Sequence, residues 1–290
     1  MDYIELLRAH PGWFLLWIGL LGLAVGSFLN VVIHRLPQML ERGWKAECRE
    51  YLGLEGDASD SEPLSLSKPR SRCPACGHAI SALRNIPVVS YLLLRGRCAN
   101  CDAAIGARYP LVELTTAVLS LAVAWHFGVT WQTLAGLIFT WVLVALAMID
   151  LDTQLLPDQI TLPFLWLGLF FNLFGVFTDL QSAVIGAIAG YLVLWVVFQL
   201  FRLLTGKEGM GFGDFKLLAL FGAWFGWQTL PQIILIASVV GAVSGLGLIL
   251  LRRHEQGNPI PFGPYLAVAG WIALLWGQQI NQAYLRLSGL

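Results

Sequence analysis

Long apolar runs constrain the fold of this chain more than any other feature. Seven runs approach or exceed the ~20 residues that a helix needs to cross about 30 Å of hydrocarbon, and an eighth run is shorter. The long runs cover 13–33, 111–128, 131–149, 159–178, 183–201, 232–251 and 262–280, and the short run covers 215–228. Hydrophobic residues make up 57% of the 290 positions, which is too apolar for a soluble domain. The sequence predicts an all-α integral membrane protein with about eight transmembrane helices.

Basic residues are concentrated on one side of this expected topology. With eight spans, alternate loops carry every Lys and Arg except Arg8 and Arg286, which is 16 of the 18 basic residues. Loops rich in Lys and Arg usually face the cytoplasm, so we expect both termini to face outward. The first run is expected to be a retained span, because its flank is not basic and no small-residue cleavage site follows it.

A polar region at residues 34–109 separates the first two apolar runs. We therefore expect three parts: a first transmembrane helix at 1–33, a cytoplasmic insert at 34–109 and a seven-helix membrane core at 110–290. Within the apolar runs, glycines spaced four residues apart predict close helix packing. These pairs are Gly22/Gly26, Gly186/Gly190, Gly222/Gly226 and Gly241/Gly245.

Two C-x-x-C pairs lie in the insert, Cys73/Cys76 and Cys98/Cys101. This spacing is typical of four thiolates around Zn²⁺, and reducing conditions in the cytosol argue against disulfides. Such a site has no open coordination position, so a structural role is expected; iron is the alternative metal. Cys48 has no partner by spacing and is expected to be a free thiol.

Acidic residues stand at the ends of two apolar runs. Asp150 ends the third run, and Asp214 begins the short run within the motif Gly-Phe-Gly-Asp. Carboxylates at membrane depth are costly and suggest a function. The expected topology puts both on the cytoplasmic side, where two carboxylates can share a proton and activate a water molecule. Asp158 is expected to be the N-cap of the next helix.

Other enzyme chemistries lack their motifs. The sequence contains no HExxH, no Gly-x-Ser-x-Gly and no phosphate-binding P-loop. A transporter or channel is the alternative, because intramembrane carboxylates also relay protons or bind ions. A membrane scaffold whose metal-binding insert docks a partner is a third possibility. Asp→Asn variants distinguish the three. Loss of substrate cleavage indicates a protease, loss of ion flux a transporter, and loss of neither a scaffold.

Taken in order along nearly the whole chain, these motifs resemble the bifunctional prepilin leader peptidase/N-methyltransferase family, a group of GxGD aspartic proteases. The residues that carry the resemblance are the two C-x-x-C pairs, Gly26 to Pro37, Arg108-Tyr-Pro110 with Glu113, Asp150-Leu-Asp152 with Leu156-Pro-Asp158, and Gly211-Phe-Gly-Asp214. The resemblance implies that Asp150 and Asp214 are catalytic, with Asp152 supporting, and that Cys73, Cys76, Cys98 and Cys101 hold zinc.

The resemblance also implies a function, a location and partners. A membrane-embedded aspartic endopeptidase of the bacterial inner membrane would remove the leader of type IV prepilins and type II secretion pseudopilins at the cytoplasmic face. It would then methylate the new N-terminal residue with S-adenosylmethionine, and no nucleic-acid partner is expected. No Rossmann-type methyltransferase pattern is present, so the donor site rests on the resemblance alone. We expect it near Gly26 to Pro37, whose residues are equally explained by helix packing.

Overall fold

The computed structural model describes residues 3–54, 64–81, 86–207, 209–250 and 261–288. Within these ranges the secondary structure is helical, with two isolated β-bridges and no β-strand. The helices are α1 Tyr3–Ala9, α2 Pro11–Leu52, α3 Val89–Leu93, α4 Arg108–Phe127, α5 Trp131–Thr153, α6 Asp158–Leu173, α7 Leu180–Thr205, α8 Phe212–Phe225, α9 Leu230–Leu250 and α10 Gly263–Ser288. A short 3-10 helix, Trp227–Thr229, separates α8 from α9.

Each apolar run of the sequence falls largely within a helix, but eight membrane crossings are not confirmed. Among the described residues, five helices are long and apolar enough to cross a membrane: α2, α4, α5, α7 and the segment Trp227–Gly247. The helices α6 and α8 have only 16 and 14 residues. Over the described residues, the finding is a helical fold with several helices that are able to span a membrane.

Helix α2 is longer than the first apolar run, because it continues past residue 33 to Leu52. Strong helix formers follow Pro37, and Lys45 forms an ion pair with Glu41 one turn earlier at 2.6 Å. The helix ends where Gly53 adopts a left-handed conformation with φ of 65°. The sequence prediction missed this extension because it was based on hydrophobicity. The apolar run ends near residue 33, whereas residues that favour a helix continue beyond it.

The chain forms two compact units, Met1–Val129 and Thr130–Leu290. In the first unit, α2 packs along α4. A Cβ atom on Gly22 would lie 2.8 Å from the Cα of Ala117, and one on Gly26 would lie 2.7 Å from the Cα of Glu113. The predicted packing role of this glycine pair is therefore confirmed.

In the second unit, α8 is the central helix. Beyond its first turn, six large apolar side chains are fully buried, as expected for a helix that is apolar around most of its circumference. These side chains are Phe215, Leu217, Leu218, Leu220, Phe221 and Trp224. Gly186 and Gly190 of α7 let the two backbones approach closely, and a Cβ on Gly190 would lie 2.6 Å from the carbonyl oxygen of Leu218. Gly226 has another role, since it ends α8 with φ of 82°.

Buried Asn172 joins the end of α6 to the end of α8. Its amide group donates to the carbonyl oxygens of Ala223 at 2.9 Å and Trp224 at 2.8 Å. Its own carbonyl oxygen accepts from the N–H groups of Phe177 and Thr178. The last carbonyls of a helix lack partners within it, so this side chain satisfies the end of α8 and fixes its position.

Candidate active site and candidate metal centre

Asp150 lies in the last turn of α5, and only 5% of its surface is exposed. One carboxylate oxygen, Oδ2, accepts a hydrogen bond of 3.0 Å from the backbone N–H of Gly263 at the start of α10. Gln154 ends α5 in the left-handed region, with φ of 54°, and donates its N–H to the carbonyl of Asp150. The helix thus ends one turn after Asp150, whose side chain lies inside the unit.

Asp214 lies in the first turn of α8 and is 8% exposed. Its carboxylate accepts a hydrogen bond from the backbone N–H of Gly211, the N-cap residue. This contact is the acidic half of a capping box, which satisfies one of the unpaired donors at a helix start. Asp214 is also close enough to Asp150 for the charge of one carboxylate to act on the other. The structure therefore brings together the two acids predicted from the sequence.

Two glycines and Leu156 surround this pair of carboxylates. A Cβ on Gly263 would lie 2.5 Å from Asp150 Oδ2, and a Cβ on Gly213 would lie 2.8 Å from the Cβ of Leu156. Leu156 Cδ1 would also be 3.3 Å from a Cβ on Gly263. Glycine at both positions therefore lets the starts of α8 and α10 approach the loop that follows α5.

Gly263 is a site residue that the sequence reasoning missed. It is 113 positions from Asp150, and spacing along the chain cannot relate residues so far apart. A local signal was present, since Pro261-Phe262-Gly263-Pro264 opens an apolar run much as Gly211-Phe-Gly-Asp opens another.

The N-cap role expected for Asp158 is wrong. Pro157 is the N-cap residue of α6, and Asp158 is the first residue of that helix. Both oxygens of its carboxylate accept from Lys216 Nζ of α8 at 2.7 Å. Lys216 follows Asp214 by two positions, so this partly exposed ion pair ties the start of α6 to the helix that carries the candidate acid. Asp152 is exposed.

Four cysteines of the first unit form a compact cluster. The sulfur atoms of Cys73, Cys76, Cys98 and Cys101 all lie within 4.8 Å of one another, an arrangement that is able to hold a metal ion. Among the described residues, neither Cys48 nor His78 belongs to this cluster. The expected ligand set of four thiols is therefore brought together as the sequence spacing predicted.

Two similar turns build the cluster. The N–H of Cys73 donates to the carbonyl of His78, and the N–H of Cys98 donates to the carbonyl of Ala103. An isolated β-bridge closes each turn, Arg72 with Ala79 and Arg97 with Ala104. The residues that follow the second cysteine of each pair, Gly77 and Asp102, both adopt positive φ angles.

Backbone N–H groups in these turns point at the sulfur atoms. Those of Asn100 and Cys101 lower the pKa of the Cys98 thiol to about 7, and that of His78, with the Asn100 amide, lowers the pKa of Cys76. A lower pKa favours the thiolate, which is the form that binds metal.

Comparisons with known proteins place the chain in a family. The model of the bacterial peptidase A24 N-terminal domain matches residues 20–127, and that of the type IV leader peptidase family matches residues 137–246. Three relatives are each named prepilin leader peptidase/N-methyltransferase. The protein of Pseudomonas aeruginosa is 60% identical over 289 residues (100% of this chain and 99% of the relative), that of Aeromonas hydrophila is 61% identical over 282 residues (97% of each), and that of Neisseria gonorrhoeae is 54% identical over 252 residues (87% of each).

No solved structure matched this chain. Each family model matches one compact unit. The first match lies within Met1–Val129 and the second within Thr130–Leu290. These similarities support a peptidase and give no support to the transporter alternative.

Proposed function

The chain belongs to the type IV leader peptidase family of prepilin leader peptidase/N-methyltransferases, and on this premise we propose that Asp150 and Asp214 are its catalytic pair. It is an enzyme of that class. The observation that carries the proposal is that two buried carboxylates, 64 positions apart in the sequence, lie close enough for the charge of Asp150 to act on Asp214. An apolar protein interior holds such a pair only at a cost, which a catalytic role explains.

In the proposed mechanism the two carboxyl groups share one proton. The ionised carboxylate takes a proton from a water molecule as the water oxygen attacks the carbonyl carbon of the scissile peptide bond. The protonated carboxyl polarises that carbonyl oxygen, and a proton passes to the leaving nitrogen as the carbon–nitrogen bond breaks. The N–H groups of Gly263 and Gly211 orient the two side chains, so the pair is held in place before substrate binds.

We propose type IV prepilins and type II secretion pseudopilins as substrates, cleaved at the cytoplasmic face of the inner membrane, with both termini of the enzyme outward. The apolar helix of a prepilin would lie in the lipid bilayer among the spans and present its leader junction to the two acids. The concentration of Lys and Arg in alternate loops supports this orientation. After cleavage, S-adenosylmethionine would supply the methyl group for the new N-terminal amine. By function we divide the chain into a first span (1–33), an insert (34–109) and a membrane peptidase core (110–290).

We further propose that the cysteine cluster holds zinc. Four thiols within mutual contact distance and donor N–H groups pointing at the sulfur atoms suit a closed tetrahedral site. Zinc would stabilise two turns that have little apolar core of their own, because only Cys73 of the four ligands is buried.

Cleavage of a full-length prepilin in detergent tests the catalytic proposal. Asp150→Asn and Asp214→Asn should each lower the cleavage rate by about 10²-fold or more, because an amide cannot exchange the proton that the reaction needs. Asp179→Asn is a matched control. Asp179 caps α7 by accepting from the N–H of Ser182, and asparagine caps equally well, so cleavage should be unchanged.

All three variants should unfold at temperatures no lower than that of the parent protein and contain the same amount of metal. Near-normal cleavage by either Asp150→Asn or Asp214→Asn, in a folded protein, would show that the pair is not catalytic.

A further inference from the structure

The side chain of Leu156 lies between the two glycines of the candidate active site. A Cβ on Gly213 would be 2.8 Å from the Cβ and 3.2 Å from the Cδ1 of Leu156. A Cβ on Gly263 would be 3.3 Å from the same Cδ1 and 2.5 Å from Oδ2 of Asp150. One methyl group of Leu156 therefore lies against the start of α8 and the start of α10, beside the Asp150 carboxylate.

Leu156 belongs to the short loop that joins α5 to α6, and both ends of this loop are fixed. At its start, the N–H of Gln154 donates to the carbonyl of Asp150 at 2.9 Å. At its end, Pro157 is buried, and its carbonyl accepts at 3.0 Å from two N–H groups in the first turn of α6. The half-buried side chain of Leu156 is therefore carried by backbone that is held on both sides.

The ion pair between Asp158 and Lys216 joins this loop to the helix of the second acid. Asp158 follows Leu156 by two positions, and Lys216 follows Asp214 by two positions. Partly exposed ion pairs usually add little to stability, but this one has both carboxylate oxygens at 2.7 Å from Nζ and so fixes a distance between two elements. Leu156 thus forms a wall that cannot withdraw without breaking contacts on either side.

The proposed reaction requires the scissile carbonyl to contact both carboxyl groups, next to this wall. Gly213 and Gly263 place no side chain there, so the bulk beside the carboxylates comes from Leu156. In the substrate, the side chain of the residue before the scissile bond is one bond closer to the reacting carbon than the side chain after it. The residue before the bond is therefore the one that a wall beside the carboxylates restricts most.

We infer that Leu156 limits the size of the substrate residue immediately before the scissile bond. The inference rests on the proposed catalytic pair. A small side chain fits between the carboxylates and Leu156, whereas a branched one has to displace a wall that is fixed at both ends. A single methylene in a substrate pocket changes kcat/KM about 10–200-fold, so one leucine is able to set a preference of this size. A leucine that served packing alone would affect all substrates equally.

Competition between two full-length prepilins in one reaction with the purified full-length enzyme tests this role. The two substrates differ only in the residue before the scissile bond, which is glycine in one and valine in the other, and the products give the ratio of the two kcat/KM values. The parent enzyme should prefer the glycine substrate. Leu156→Ala should reduce this preference about tenfold or more, because it shortens the wall, and Leu156→Phe should increase it. Leu173→Ala is the matched control, since Leu173 is 58% exposed at the other end of α6 and should leave the ratio unchanged.

A ratio measured within one sample does not depend on how much of the enzyme is folded, so lost stability cannot produce the expected change. An unchanged ratio in Leu156→Ala would overturn the inference, and so would a change seen only when the residue after the scissile bond is varied instead. If Leu156→Ala does not fold, as judged by its unfolding temperature, Leu156→Phe decides the outcome. The catalytic proposal fails on a different result, namely cleavage by the Asp150→Asn or Asp214→Asn variant, so the two failures are distinguishable.

Discussion

At the scale of single residues, the position of the Asp150 carboxylate depends on the absence of a side chain at Gly263. The N–H of Gly263 donates to Oδ2 of Asp150, and the space where a Cβ would lie is filled by that same oxygen. The first residue of α10 thus both holds the carboxylate and leaves room for it. A methyl group here would push Asp150 away from its donor without removing any functional group.

Gly263→Ala should therefore lower the rate of prepilin cleavage by about 10–100-fold, since a shift of about 1 Å in a reacting group has costs of this size. The added Cβ would lie 2.5 Å from Oδ2 and 3.1 Å from Cγ of Asp150, so the carboxylate must move. The measurement is kcat for leader removal, together with the unfolding temperature. Alanine favours helices over glycine, so lost helix propensity is not expected to explain the effect.

Gly247→Ala is the control for this experiment. Gly247 lies in α9, and a Cβ there would have open space around it. Its cleavage rate should equal that of the parent. A fully active Gly263→Ala would mean that the contact with Gly263 does not position Asp150 for the reaction.

The two candidate acids could be predicted from the sequence because each is unusual in its own surroundings, a carboxylate next to an apolar run. The local sequence around Gly263 hints at a helix start but not at its role, which comes from a contact with Asp150 made only in the folded chain. Asp158 shows the opposite error. Its place before an apolar run suggested a cap, whereas the side chain pairs with Lys216, which is 58 positions away.

At the scale of helices, α8 carries Asp214 at its start and is fixed at its end by Asn172. Four hydrogen bonds converge on this one buried side chain, two donated to carbonyls of α8 and two accepted from the turn after α6. Trp224 adds a further tie, because its ring nitrogen donates to the carbonyl of Phe164 at 2.8 Å. The end of α8 therefore has a defined position relative to α6.

Asn172→Leu should lower the free energy of unfolding by about 2 kcal/mol or more, because it leaves buried carbonyl and N–H groups without partners. Leucine is similar in volume, so a cavity is not the cause. The measurement is unfolding of the purified protein in detergent, followed by temperature or denaturant. Gln278→Leu, at an exposed position of α10, replaces an amide with the same side chain and should leave stability nearly unchanged.

An equal effect of both leucine substitutions would contradict this account of Asn172. The hydrogen bonds of Asn172 could not have been predicted from the sequence, where a lone Asn in an apolar run has no partner at helical spacing. Hydrophobicity predicted the helices themselves well, since each apolar run falls largely within one. It failed at helix ends, as in α2, because the membrane limits the apolar run and not the helix.

At the scale of the whole molecule, the formal net charge is zero but the charges are unevenly placed along the chain. Every Lys and Arg except Arg8 and Arg286 lies in alternate loops of the expected eight-span topology or, for Lys216, near the start of α8. This asymmetry could be read from the sequence alone, whereas the number of crossings could not, because α6 and α8 are shorter than a full span. The orientation of the loops and the crossing of α6 are therefore tested together.

Labelling with a membrane-impermeant maleimide should modify Cys48 only after the inner membrane is permeabilised. Cys48 is an exposed thiol on the part of α2 that extends beyond the first apolar run, among basic residues expected in the cytoplasm. The four other thiols should be protected by the metal that we propose they hold, and Cys48→Ser should abolish the signal. Adding Gln181→Cys to Cys48→Ser places a thiol at an exposed site after α6, which should react from the outside once the outer membrane is opened. Labelling of Cys48 when only the outer membrane is opened would show that the orientation is the reverse of the one expected.

Protection of the thiol introduced at position 181 under the same treatment would show instead that α6 does not cross the membrane.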